Sequence, residues 1–343
     1  MLKVAIIGHG YWGKNIARNF AQSEEFSLEV ICDVSEEALK KAKLLYPGVR
    51  VIKDYKQMPD DIDIVAPIVK VESHYEIANY FLDKKKHVLL TKPFTKTYDQ
   101  AKKLIEKADK LGLTVFADHT FIFNPAVRKL KELLPKIGNP YLVMSSRLNL
   151  GLYQPDVNVI YDLMPHDMSI IHYIFDTNIV KANSSAFHAS GFPQEDFAQT
   201  NLEFDCGLRA FVTVSWLSPY KIRDFIIIGD QGMLTYDDNQ VGEKVKYYDK
   251  GVDAIKKPDS KDLAYTSRIS YRSGDLYAPA ITNIEALSFE FSEFLKSIYD
   301  KKTRDYYNRI TLQTMKSLEA AVEAAKNKNG ENKSSKNPKE IAA

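Results

Sequence analysis

The chain has 343 residues, with 47 lysines and arginines against 45 aspartates and glutamates and a net charge of +2. No whole-molecule field recruits nucleic acid or an anionic membrane, so a small molecule is the expected partner, and the length supports two domains that each bury a core without staples. No stretch approaches the about 18 to 20 apolar residues of a membrane span, and the start, Met1 to Gly8, lacks a signal-peptide apolar region, so a cytoplasmic protein is expected.

The first 120 residues alternate short aliphatic runs with amphipathic stretches. Val4–Ile7, Leu28–Cys32, Ile62–Val65, His87–Leu90 and Thr114–Ala117 are predicted as parallel strands buried on both faces. Gly13–Gln22, Glu36–Leu45, His74–Lys84 and Tyr98–Leu111 carry apolar residues at helical spacing and are predicted as crossover helices. This is the pattern of a doubly wound Rossmann sheet. After Phe121 the pattern changes. A helix at Pro125–Leu134, a strand at Tyr141–Leu148 and a helix around His166–Phe175 come first. Strands at Ala182–His188, Thr200–Phe204, Ala210–Trp216, Asp224–Gly229 and Met233–Asp237 follow, joined by polar turns such as Gly229-Asp230-Gln231-Gly232. Helices at Glu285–Tyr299 and Thr311–Asn327 close the folded part.

The expected class is α/β, with a Rossmann domain over residues 1–120 and an α+β domain with an open mixed, largely antiparallel sheet over 121–327. Residues 328–343, rich in Lys, Asn and Ser, have too little apolar surface to offset their ordering entropy and are expected as a disordered tail. Cys32 and Cys206 stand far apart in no metal-ligand spacing, each inside an apolar run read as a strand, and buried reduced thiols are expected. The histidines form no ligand set, and no metal is expected.

Gly8-His9-Gly10-Tyr11-Trp12-Gly13 follows the first aliphatic run and opens a helix, and Asp33 stands at the end of the next strand, about 20 residues on. Gly8 permits a tight turn, Gly10 lets the backbone approach a pyrophosphate, and Gly13 lets the helix pack on the strand. The helix N-terminus then offers amide donors and partial positive charge to phosphates. Gly8, Gly10, Tyr11, Trp12, Gly13 and Asp33 are therefore the candidate dinucleotide residues. Asp33 can accept both ribose hydroxyls of NAD, whereas a 2′-phosphate would meet its like charge, which favours NAD over NADP. The plain alternative is a glycine turn serving only chain reversal.

Two further features carry chemistry. Thr91-Lys92-Pro93 follows the strand His87–Leu90 at the carboxyl edge of the sheet, where open α/β folds place ligands. Lys92 can donate to a substrate hydroxyl or, as a further cofactor-binding candidate, help stabilise charge near the nicotinamide, or simply be a solvated turn residue. Asp162-Leu163-Met164-Pro165-His166 opens an apolar helix. Asp162 and His166 share a helical face, and Pro165 is expected in the first turn, where its missing N–H is not needed. A neutral His166 is a candidate general base, with Asp162 to orient it. Alternatively, Asp162 caps the helix and His166 is a satisfied buried histidine.

Together, the glycine string, Lys92-Pro93 and the Asp162/His166 pair resemble the glucose-fructose oxidoreductase/inositol dehydrogenase (Gfo/Idh/MocA) family, over about residues 2 to 327. The resemblance implies an NAD(P)-binding first domain and a substrate-bearing second domain, with Lys92, Asp162 and His166 around the carbon that loses hydride. Thr120-Phe121-Ile122-Phe123-Asn124-Pro125, Arg147-Leu148-Asn149-Leu150-Gly151 and Pro155-Asp156-Val157-Asn158 look most like the branch that oxidises nucleotide-linked sugars at C3. Such a substrate needs donors for its diphosphate or carboxylate, and Asn124, Arg147, Asn158, Lys221 and Arg223 are the candidates. Two departures stand out: Thr91 replaces the family's usual Glu, and Val69-Lys70 stands where Thr-Pro is common. Losing the glutamate removes an anion beside Lys92 and can alter its charge and orientation.

The expected activity is hydride transfer between a sugar hydroxyl and NAD, with the roles of His166 and Lys92 open to exchange and the two domains meeting along a cleft. The rivals are a binding protein that senses NAD or a sugar without turnover, a dehydrogenase of free sugars or inositols, and a reductase of a cyclic imine or biliverdin-like substrate. An exposed sheet face in the second domain is expected to pair copies into homodimers or homotetramers.

Overall fold

The computed structural model describes residues 1–151, 153–154, 156–254 and 269–331. Contacts divide the chain into two units, Met1–Phe123 with Glu285–Glu319, and Asn124–Ile284 with the segment from Ala320 onward.

In the first unit, β1 (Leu2–Ile7), β2 (Phe26–Cys32), β3 (Arg50–Ile52), β4 (Ile64–Pro67), β5 (His87–Thr91) and β6 (Val115–Asp118) form a six-stranded sheet in the order β3-β2-β1-β4-β5-β6, every pair parallel. Residues 4–7, 64–67 and 88–91 are buried without alternation, as strands covered on both faces require. The crossovers are α1 (Gly13–Gln22), α2 (Glu36–Leu45), α3 (Val71–Asp83) and α4 (Tyr98–Leu111). Ser35 and Thr97 cap α2 and α4 by accepting the N–H groups of Ala38 and Gln100. The edge strand β3 was not expected, being too short to stand out as an aliphatic run.

The helix α7 (Ala286–Tyr299) and the long α8 (Lys301–Glu331) follow the second sheet in sequence. The expected block 121–327 would place both wholly in the second domain, whereas α7 and the first part of α8 belong to the first unit. The reason is aromatic. Phe291 stacks on Phe20 at 4.1 Å between ring centroids, and Phe294 stands 6.4 Å from Phe26 and 5.3 Å from Phe116. Arg18 donates to Glu285 at 3.0 Å, fixing the start of α7 to α1. Hydrophobic periodicity reported α7 as a helix but could not report which sheet its phenylalanines would cover.

In the second unit, β7 (Pro140–Leu150), β8 (Ile179–Phe187), β9 (Phe197–Phe204), β10 (Arg209–Ser215), β11 (Leu217–Gly229), β12 (Met233–Asp237), β13 (Val245–Ala254) and β14 (Ile269–Tyr277) form an eight-stranded sheet. The order is β14-β13-β12-β11-β7-β10-β9-β8, antiparallel except for the parallel pair β7 and β10. The helices α5 (Pro125–Leu133) and α6 (Val159–Phe175) pack on this sheet. Alternation is clear on β10, where Ala210, Val212 and Val214 are buried while Phe211 is 41% exposed. The sheet therefore has one covered face and one open face.

Two expectations change. Cys206 is exposed in the turn between β9 and β10 and not in a strand, because the polar Asp205-Cys206-Gly207 breaks the run. Cys32 is buried, and that burial pushes its thiol up to about 12. The tail is partly folded: residues 328–331 continue α8, and 332–343 lie outside the described residues. No helix among the described residues is long and apolar enough to cross a membrane.

Because Phe294 is fully buried among rings of the first unit, Phe294→Ala is expected to cost about 3 to 5 kcal/mol. A lowered urea midpoint would show this, and an unchanged midpoint would contradict the docking of α7.

Candidate active site

The glycine turn between β1 and α1 is built by backbone crowding. Gly8 has φ +97°, and a Cβ there would lie 2.1 Å from the carbonyl oxygen of Ile68, just after β4. A Cβ at Gly13 would lie 2.1 Å from the carbonyl oxygen of Gly8. Neither position accepts a side chain. At Gly10 a Cβ would meet nothing within 4 Å, so the second glycine faces open space. No side chain caps the N-terminus of α1; the Lys14, Asn15 and Ile16 amides bond back to the Gly10 and Trp12 carbonyls, and the helix end presents its partial positive charge at the turn.

Asp33 is held in place from both sides. Its Oδ2 accepts the His9 backbone N–H at 2.7 Å and its Oδ1 accepts that of Ser35 at 2.8 Å, with lone pairs remaining on each oxygen. An open space at Gly10, an uncapped helix end and an oriented carboxylate at the end of β2 fit a dinucleotide with free ribose hydroxyls. Tyr11 is exposed beside this loop, while the Trp12 indole donates to Asp118 Oδ2 at 2.6 Å. That bond ties the loop to the end of β6, and Asp118 also accepts the Thr120 hydroxyl. Beside Asp118 lies Glu290 of α7, fully buried. Burial, then the charge of Asp118, hold its carboxyl well above the usual carboxylate range, which favours its protonated form.

Lys92 follows β5 and is half-buried, joined to Pro93 by a cis peptide. Thr91 before it is buried and uncharged, so no carboxylate adjoins Lys92 along the chain.

In the second unit the Asp162/His166 pair is on α6, but not at its first residue. Asn158 caps the helix by accepting the Tyr161 N–H at 3.1 Å, so Pro165 stands two turns in and not in the first turn as expected. An interior proline costs about 3 kcal/mol. It is tolerated because the segment around it, from Val159 and Ile160 through Met164 and Met168 to Ile171, is buried in the core. Asp162 and His166 are both half-buried, with Asp162 in the first turn. The Trp216 indole, at the end of β10, donates to Asp162 Oδ2 at 2.8 Å. Tyr153 meets Trp216 edge-on at 5.6 Å and stacks on Phe192 at 4.1 Å. Sequence reading placed Trp216 at a strand end but had no signal for its partner, which is 54 residues away.

The other candidates are largely engaged within their own unit. Arg147 is 4% exposed on β7, where its Nε and Nη2 donate to Asp167 of α6 at 3.0 and 3.1 Å. Burial alone would lower the Arg147 pKa, but Asp167 raises it on balance, and Ser145 completes the carboxylate's bonds at 2.7 Å. This is a structural pair. Asn124 caps α5 and donates to the Tyr236 hydroxyl, and Asn158, besides capping α6, donates to Glu195. Arg223 pairs with Asp238 at 2.8 Å. Lys221 is exposed. Among the described residues no cluster of three or more His, Cys, Asp or Glu is placed to hold a metal ion.

A parallel sheet ordered 3-2-1-4-5-6 with a glycine-rich turn after β1 is the architecture of an NAD-binding Rossmann oxidoreductase. Residues 2–119 match the model of the oxidoreductase family with an NAD-binding Rossmann fold, and residues 128–235 match that of the GFO/IDH/MocA C-terminal domain; the chain belongs to the GFO/IDH/MocA family. It is 25% identical over 346 residues to scyllo-inositol 2-dehydrogenase (NADP(+)) IolU of Bacillus subtilis, covering 94% of this chain and 96% of that one. It is 26% identical over 172 residues to UDP-N-acetylglucosamine 3-dehydrogenase of Acidithiobacillus ferrooxidans, spanning 49% of this chain and about half, 53%, of that relative. The solved structure of that enzyme, GnnA, superposes with a TM-score of 0.77 at 19% identity, covering 95% of this chain and 98% of that one. GenD2 from gentamicin A biosynthesis, solved in complex with NAD, gives a TM-score of 0.79 at 18% identity with 95% of each chain covered.

The protonated Glu290 has a pH signature. Its folded pKa is raised, so the stability it contributes is full below the unfolded glutamate value of about 4.3 and is lost as pH rises from there toward the folded pKa. Relative to the parent, Glu290→Gln is therefore expected to gain stability as pH rises from about 4 to 8. Urea midpoints across that range check this, and a pH-independent difference would contradict a protonated Glu290.

Proposed function

We propose that the chain is an NAD-dependent dehydrogenase of a sugar secondary hydroxyl, with a nucleotide-linked sugar oxidised at C3 as the best-supported substrate. The observation that carries the reading is the Asp162/His166 pair on one face of α6, with Asp162 fixed by the Trp216 indole. A carboxylate held by one strong donor keeps its other oxygen in a set direction. His166, one turn further along, accepts the proton of the sugar hydroxyl, and Asp162 orients the imidazole and stabilises its charged form. Lys92 donates a hydrogen bond to the same oxygen as charge develops on it. NAD, when bound, supplies the acceptor for the hydride that leaves the carbon. The glycine turn and the α1 amides bind the pyrophosphate, and Asp33 the adenosine ribose. The proton goes to His166, the hydride leaves the sugar, and a ketone remains.

Support for the nucleotide-sugar branch comes from the likeness to UDP-N-acetylglucosamine 3-dehydrogenase, and from the phrases around Asn124, Arg147 and Asn158. Arg147, Asn124 and Asn158 order the second unit, which leaves Lys221 as the exposed cation of the candidate set for a diphosphate. The inositol reading draws on the longer match to a scyllo-inositol dehydrogenase, and an NAD-sensing role draws on the buried, uncharged Thr91.

The open face of the second sheet supports pairing of two copies. Phe211, Met144 and Ile226 stand side by side on adjacent strands, with Met144 45% exposed. Such a row is an apolar patch that a second copy would cover. Light scattering is expected to give a dimer or tetramer, and a monomer at micromolar concentration would sink the idea.

The test of function is absorbance at the reduced-nicotinamide band with NAD or NADP and a panel of UDP-hexoses, UDP-hexuronic acids, inositols and free aldoses. Turnover with a UDP-sugar, faster with NAD, is expected, with loss of about 100-fold or more in both Lys92→Ala and His166→Asn. Turnover that survives both substitutions would overturn the assignment, and turnover with inositols alone would move the substrate class.

A further inference from the structure

His74 lies on α3, 1% exposed, and both edges of its ring face backbone carbonyls. Nδ1 is 3.1 Å from the oxygen of Pro93 and 3.2 Å from that of Phe94; Nε2 is 3.0 Å from the oxygen of Val69. The first two carbonyls belong to the turn that carries Lys92, after β5. The third belongs to the segment after β4, whose Ile68 carbonyl and Val69 side chain crowd Gly8 of the dinucleotide turn. One imidazole thus stands between the glycine turn and the turn of Lys92. Burial lowers its pKa below the ordinary histidine value, against the pull of the carbonyls, so near neutral pH it has one N–H to give. That proton has two acceptors at Nδ1 and one at Nε2.

We propose that His74 is a positioning residue for hydride transfer: through Nδ1 it holds the Lys92-Pro93-Phe94 turn at a fixed distance from the segment packed on Gly8, and so sets Lys92 relative to the bound nicotinamide. This rests on the role given to Lys92 above. A residue serving only to fill the core would have no reason to place three carbonyls around a polar ring, since an apolar side chain fills the same volume without the desolvation cost. The geometry serves position: with its proton on Nδ1 the imidazole bonds the turn after β5 while its other edge packs against the segment after β4, and the β4/β5 ladder pairs Ile64 with His87 and Val65 with Val88, ending short of either exit. Misplacement of a reacting group by about 1 Å costs on the order of 100-fold in rate, so a clamp at this joint acts on chemistry while leaving dinucleotide affinity largely intact.

The test uses the full-length protein and no sugar substrate. Lys92 is labelled by reductive methylation with and without NADH and read by peptide mass spectrometry, while NADH affinity is followed by tryptophan quenching, in the parent, His74→Leu and His74→Asn. The amide nitrogen of asparagine reaches the place of Nδ1 and can donate to the Pro93 and Phe94 carbonyls. In the parent, NADH is expected to shield Lys92. In His74→Leu the shielding is expected to fall by about tenfold, the worth of one or two hydrogen bonds, with NADH affinity within about threefold of the parent. His74→Asn is expected to restore it. Undiminished shielding in His74→Leu, with NADH bound, overturns the clamp and leaves the Lys92 assignment standing. Asparagine no better than leucine, with NADH bound, likewise overturns it. Absence of shielding in the parent overturns the Lys92 assignment and the clamp with it. Loss of NADH binding or of folding in both variants makes His74 a general structural residue and overturns its positioning role.

Discussion

The dinucleotide half of this protein depends on a backbone contact that no side chain can enter. At Gly13 the first turn of α1 sits against the carbonyl of Gly8, and at Gly8 the chain sits against the carbonyl of Ile68. This stacking of main chain on main chain sets the helix at the carboxyl edge of the sheet with no side chain capping its N-terminus, and leaves the space at Gly10 open. Everything else in the first unit serves to keep that edge still. Trp12 is tied to Asp118, Asp33 to the amides on either side of it, and α7 closes over the sheet with a protonated Glu290 beside Asp118.

The second unit is organised by a buried charge pair instead. Arg147 on β7 and Asp167 on α6 lie away from water, and the carboxylate is satisfied by two guanidinium nitrogens and the Ser145 hydroxyl. A buried pair is weak support for stability in itself, yet it fixes which face of α6 turns toward the sheet. With Asp167 inward, Asp162 and His166 come to the half-buried side of the helix, where the Trp216 indole finds Asp162. Of these adjacent residues, Asp167 anchors the helix to β7 and His166 shares the half-buried side with Asp162.

The parallel sheet was legible because its strands are buried on both faces and read as unbroken aliphatic runs, and the glycine string because steric need at Gly8 and Gly13 leaves one residue type possible. The start of α6 was not legible: Pro165 is normally a first-turn marker, and only the buried apolar residues around it keep it inside the helix. The placement of α7 escaped for a different reason. Periodicity shows that Phe291 and Phe294 need a partner but does not say that Phe20, Phe26 and Phe116 supply it. The same limit hid Trp216 and His74, whose partners are defined by the fold. Arg147 looked like an anion ligand because a lone arginine in a polar phrase gives no sign of the aspartate 20 residues on that neutralises it.

In the proposed reaction a sugar carbon gives its hydride directly to the bound dinucleotide, with Lys92 and the Asp162/His166 pair managing the proton. The most direct measurement follows the hydrogen itself, by incubating the protein with NAD and a UDP-hexose deuterated at C3 and locating the label by mass spectrometry and NMR. Direct transfer is expected to place the deuterium at C4 of the nicotinamide, on one face of the ring, with the ketone formed at C3. Reduced dinucleotide without the label, or label released to water, would contradict it.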